Sequence, residues 1–222
     1  MKMYCKKKFV SGINKTVLLL CACILMLNSC ALKQNMKLQN GDLLFVTAKE
    51  TGLSGAINNV TQKQKNVSYD HIGIIEKSGN SFFVLHAAPK GGSQRQLMND
   101  FLKDQTEDGQ KVVVYRLRSE YRKTIPAAIE KANSMLGKPY NFNYILDENS
   151  YYCSDFIERA FRKDHIFKLE PMTFTDPETG TVNAFWEAFY QKKNLKVPEG
   201  EPGCNPNGLA ASDKLEKIEE LK

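Results

Sequence analysis

Three residues of this 222-residue chain have the type and setting for acyl-transfer chemistry. Cys153 stands in Tyr151-Tyr152-Cys153-Ser154-Asp155, and Phe156, Ile157, Ala160 and Phe161 follow at helical spacing. The pattern predicts a helix over 153–163 with the cysteine at its start. Free amides and the helix dipole stabilise a thiolate there, so a lowered thiol pKa is expected. His71 opens the run Asp70-His71-Ile72-Gly73-Ile74-Ile75, and His86 closes Val84-Leu85-His86-Ala87. In an antiparallel hairpin the start of one strand lies opposite the end of the next, which lets the two imidazoles approach, although sequence leaves the register open. A thiol, an imidazole to take its proton and a second polar group to orient that imidazole make a nucleophile; helix-start amides can form the oxyanion hole. The same three side chains are also zinc ligands by type, but neither C-x-x-C nor H-E-x-x-H spacing occurs, and no metal or cofactor is expected. A structural disulfide between Cys153 and Cys204 is a further alternative.

The elements that must position these residues can be read along the chain. Leu43–Thr47 is a strand, and residues 50–60 form a short helix. Asp70–Glu76 and Ser81–Ala87 make a hairpin across Lys77-Ser78-Gly79-Asn80. Lys90–Ser93 reads as a flexible glycine-rich connection, Leu97–Leu102 as a helical turn and Lys111–Leu117 as another sheet segment. Residues 120–137 form an amphipathic helix, with Pro126 in its first turn and Gly137 and Pro139 ending it. Residues 182–191 are helical, and the tail after 196 reads as irregular and frayed. Strands and helices are mixed rather than alternating, so the class is α+β. Among the other polar residues, His165 reads as surface, Asp155 as a helix-start charge and Cys204 as a bystander. Tyr140 and Tyr152 are candidates for the substrate-pocket wall.

The N-terminus sets the cellular setting. Five lysines and no acidic residue precede Val17–Leu27, an unbroken apolar run of eleven, too short to span a bilayer. Leu27-Asn28-Ser29-Cys30 follows and resembles a lipobox. Residues 1–29 are therefore expected to be a signal peptide, Cys30 the lipidated first residue, 30–40 a tether and 41–222 the domain. Loss of five lysines takes the net charge from +6 to +1, which removes any argument for nucleic acid. Three of six cysteines leave too, so only Cys153 and Cys204 remain as thiols beside Cys30. Ten extended residues reach at most ~35 Å, so the domain is expected close to its membrane; no acidic run follows Cys30, so it is expected to face the periplasm, as a monomer.

The motif order resembles the circularly permuted papain-fold amidases, the YiiX/YaeF-like branch of the NlpC-type hydrolases. The resemblance rests on Asn40-Gly41-Asp42-Leu43-Leu44-Phe45, Asp70-His71-Ile72-Gly73-Ile74, Gly137-Lys138-Pro139-Tyr140, the Tyr-Cys-Ser-Asp segment and Pro206-Asn207-Gly208-Leu209. His precedes Cys, as the permuted branch requires. The resemblance implies a small antiparallel sheet or barrel packed against helices, with Cys153 as nucleophile, His71 as general base and His86 in a third position often held by Glu. It also implies cleavage of an amide through a thioester, with peptides of the cell wall or their fragments as substrates. The alternatives are a lipid acyl hydrolase or acyltransferase of the same fold, or a non-catalytic envelope binding module.

Overall fold

The computed structural model describes residues 38–62 and 67–221. The expected signal peptide, Cys30 and most of the tether lie outside the described residues. Residues from Gln39 onward pack as one compact unit. Its centre is a six-stranded antiparallel sheet in the order β4-β3-β2-β1-β5-β8. The strands are β1 (Leu43–Thr47), β2 (Tyr69–Ser78), β3 (Ser81–Ala88), β4 (Gly92–Leu97), β5 (Val112–Leu117) and β8 (Leu215–Leu221). A two-residue ladder pairs β6 (Glu170–Pro171) with β7 (Pro202–Gly203). The sheet is open, so of the two forms expected the barrel is not the one adopted.

Leu43, Leu44, Phe45 and Val46 are all fully buried, because β1 lies between β2 and β5 and is covered on both faces. Against one face pack α3 (Ile125–Ser134) and α4 (Cys153–Phe161), whose Phe156, Ile157 and Phe161 share a core with Phe45, Ile72, Ile74 and Leu85. Toward the other face, α2 (Met98–Thr106) brings Phe101 against both His71 and His86. A second, aromatic cluster joins Ala56 of α1 (Gly52–Thr61) to Tyr144, Tyr152, Phe174, and Trp186 and Tyr190 of α5 (Ala184–Gln191).

Three expectations need correction. The Lys90–Ser93 stretch is not a flexible connection: Gly92 begins β4, and Ser93 is buried and tied to the Gly137 loop. Ser93 N–H donates to Lys138 O (2.8 Å), and its hydroxyl donates to Met135 O (2.7 Å). Gly92 is required there, since φ is +66° and a Cβ would lie 2.1 Å from Lys138 O. The tail is not frayed, because it forms α6 (Pro206–Ala210) and then β8, paired with β5 along Val112–Leu117. The helix expected over 120–137 is a 3₁₀ segment, Ser119–Thr124, followed by α3.

Candidate active site

The sheet creates the site by splitting. β2 and β3 pair from Ser78–Ser81 to Ile74–Leu85 and then part, while β3 stays with β4 as far as Ala88. Backbone groups of Ile75 bond toward β1, to Gly41 and Asp42. By strand alternation, Asp70 C=O and Ile72 N–H point the other way, into the wedge that β3 vacates. The first residue of α4 fills it. The Cys153 thiol donates to Asp70 O at 3.7 Å, and the thiol's sulfur also feels the Ile72 and Ser154 amides. The Cys153 sulfur therefore sits against the backbone on both sides of His71.

His71 and His86 meet across the same split. His71 Nε2 lies 2.9 Å from His86 Nδ1, with the rings nearly perpendicular. Gly73 makes room for this contact, because a Cβ there would lie 2.5 Å from Val84 and 3.3 Å from His86 Cβ. His86 continues through Nε2 to Gln96 Oε1 at 3.1 Å, and Gln96 Nε2 donates to Asp104 Oδ2 at 2.6 Å. No hydrogen bond joins Cys153 to either histidine among the described residues. His86 occupies His71 Nε2, so of the two ring nitrogens Nδ1 is the one left for a further partner.

The electrostatics overturn one expectation. The amides around Cys153 do favour the thiolate, but burial and the nearby Asp70 carboxylate outweigh them, and the thiol is pushed up to about 12. Burial, followed by repulsion from His86, holds His71 well below its ordinary value, and burial pushes His86 down to about 4. At neutral pH the site is a neutral thiol beside neutral imidazoles, not a thiolate–imidazolium pair.

Cys153 opens into a narrow pocket walled by Ile57, Tyr140, Tyr144, Tyr152, Phe174 and Trp186. Tyr140 and Tyr152 both line it. Tyr140 is pinned beside Cys153 because Asn141 N–H donates to Tyr151 O and Tyr151 N–H to Pro139 O. A cleft of about 500 Å³ shares Met172, Thr173, Cys204 and Asn205 with this pocket. Cys153 and Cys204 are both free thiols, so the disulfide alternative falls.

Sequence reading missed Asp70, Tyr144, Gln96 and Asp104. Asp70 is adjacent to His71 and could have been found from the motif. Tyr144 could not: its φ of +58° is rare for a bulky residue. Its buried hydroxyl makes no hydrogen bond of ordinary length, but it faces Cys153 and the Tyr140 hydroxyl, with which it interacts. The strain is held on both sides, by Tyr190 Oη donating to Asn143 O (2.9 Å) and Asn141 Nδ2 donating to Ile145 O (2.6 Å).

Comparison with known proteins agrees with this architecture. The crystal structure of metalloprotein yiiX from Escherichia coli O157:H7 superposes with a TM-score of 0.68 at 20% identity, covering 83% of this chain and 98% of that one. At that identity the likeness speaks for the fold alone. That protein is described as a metalloprotein, but the residues here do not fit a metal. His71 Nε2 and His86 Nδ1 face each other, and among the described residues no three His, Cys, Asp or Glu side chains form a metal-binding group. No curated protein matches the chain in sequence. Residues 37–219 match the family described as permuted papain-like amidase enzyme, YaeF/YiiX, C92 family. Since the match spans most of its length, the chain belongs to this family of cysteine amidases.

Proposed function

We propose that the chain is a cell-envelope cysteine amidase that cleaves peptidoglycan stem peptides or their fragments through a thioester, with Cys153, His71 and His86 as its triad. One observation carries the reading: Cys153, at the start of α4, lies against the backbone flanking His71 at the floor of a pocket, and His71 has one nitrogen free. As Sγ attacks the amide carbonyl carbon, its proton passes to His71 Nδ1. The tetrahedral intermediate then expels the amine, which leaves with that proton, and water attacks the thioester by the same route to release the acid. His86, a neutral acceptor toward His71, orients the base without a carboxylate's charge. The envelope setting rests on the lipobox at Cys30. It fails if globomycin leaves processing unchanged or Cys30→Ala stays membrane-bound.

A second reading has its own support. The walls nearest Sγ are aromatic and aliphatic, which suits a hydrocarbon acyl group, as in a lipid acyl hydrolase or acyltransferase. Incubating the protein and Cys153→Ala with muropeptides, and separately with phospholipids and N-acyl lipids, decides between them. Cysteine-dependent release of stem-peptide amines supports the first reading. Turnover of acyl lipids alone replaces it with the second.

A further inference from the structure

The hydrogen-bond chain behind His71 has a direction, and the direction is set at its far end. Asp104 lies on the exposed side of α2, and its carboxylate can only accept. Gln96 must therefore turn its NH₂ toward Asp104, at 2.6 Å, and present Oε1 to His86. A carbonyl oxygen can only accept, so His86 carries its proton on Nε2, at 3.1 Å from Gln96. His86 Nδ1 is then a bare acceptor, and the 2.9 Å contact requires the proton of His71 on Nε2. His71 Nδ1 is left as a lone pair.

The same heavy atoms admit one other arrangement, with every bond reversed. Gln96 would then give its NH₂ to His86, both imidazoles would carry the proton on Nδ1, and His71 could accept nothing from the thiol. In that arrangement Gln96 Oε1 would face the Asp104 carboxylate, acceptor against acceptor at hydrogen-bonding distance. We propose that Asp104 and Gln96 are positioning residues which, through His86, hold His71 in the tautomer able to take the Cys153 proton. This rests on the reading of Cys153 as nucleophile and His71 as its base. The chain also answers how a neutral third residue can serve. His86 passes on a polarity that a carboxylate supplies from the surface, two residues farther out.

The test reverses the end group. Asp104→Lys offers only donors, so it turns Gln96 around and with it both imidazoles. Gln96→Glu in the same protein restores an acceptor facing His86 and pairs with the new lysine. Two measurements are made on full-length mature protein labelled with ¹⁵N-histidine: the tautomer of each imidazole by NMR, and the acylation rate of Cys153 by p-nitrophenyl acetate. Wild type is expected to show Nε2–H at both residues. Asp104→Lys is expected to show Nδ1–H and a rate lower by about 100-fold, the low end of the range for losing a general base. The double variant is expected to recover the wild-type tautomers and most of the rate. Asp104→Ala, which imposes no polarity, is expected to show mixed tautomers, and it serves if the lysine variant does not fold. Wild-type tautomers in Asp104→Lys and Asp104→Ala overturn the proposal, as does an altered tautomer with an unaltered rate. If wild-type Cys153 is not acylated at all, the amidase reading fails, while the NMR arm still decides whether the chain sets the tautomers.

Discussion

Acidification should destabilise this protein through its histidine pair, and the sign and size follow from their burial. His86 is 1% and His71 8% exposed, and both sit against Phe101. An unfolded histidine titrates near pH 6.5, whereas His86 in the fold is pushed down to about 4 and His71 is lowered too. Between those values the unfolded chain binds protons that the folded chain refuses. Stability is therefore complete above about pH 6.5 and is lost as pH falls toward 4. At ~1.36 kcal/mol per pKa unit, His86 alone removes about 2.5 kcal/mol by pH 4.5. With a urea slope of about 1–3 kcal/mol per M, the unfolding midpoint drops by ~1–2 M. The assay is urea unfolding from pH 7.5 to 4.5 for wild type and the double variant His71→Phe/His86→Leu, in which other groups titrate alike. The wild type should lose the larger share. Parallel curves would refute the account of the pair as buried and neutral.

Asp70→Asn removes the charge that, after burial, holds the Cys153 thiol up. Iodoacetamide should then label Cys153 about 3- to 10-fold faster at pH 8.5, the effect of half to one pKa unit, and an unchanged rate would clear Asp70 of that role. Asn207→Ala strips an acceptor from Tyr69 N–H (2.7 Å) and a donor from Thr61 and Ser68 (2.9 and 3.0 Å). Urea unfolding should register a loss of about 1–3 kcal/mol, because a buried amide is left unpaired. Tyr144→Phe removes a buried hydroxyl that makes no hydrogen bond of ordinary length, so its Tm should stay within a few degrees of wild type; a larger fall would show that its contact with the Tyr140 hydroxyl is a full bond.

How much of this was legible in the sequence depends on how local each cause is. The His71–His86 hairpin was readable because apolar alternation and Gly79-Asn80 specify it within twenty residues. The helix beginning at Cys153 was readable from its apolar face. β4 was not, since Gly92-Ser93-Gln94-Arg95-Gln96-Leu97 is a polar edge strand that, among the described residues, pairs with β3 alone, and losing it hid Gln96 and Asp104. β8 was missed for the same reason: its charged residues suit an edge, and its partner β5 lies about a hundred residues away. The thiol pKa went the wrong way because the helix dipole is local, whereas burial and Asp70 arrive through the tertiary fold. Tyr144 owes its positive φ to neighbours such as Tyr190, which no local pattern announces.

In the proposed mechanism Cys153 carries the acyl group after His71 has taken its proton. Acid quench of the protein during reaction with p-nitrophenyl acetate, followed by peptide mass spectrometry, tests it directly. An acetyl group that hydroxylamine removes is expected on Cys153, none in Cys153→Ala, with formation slowed about 100-fold or more in His71→Ala. An adduct on Cys204 instead, or an undiminished rate without His71, would contradict it.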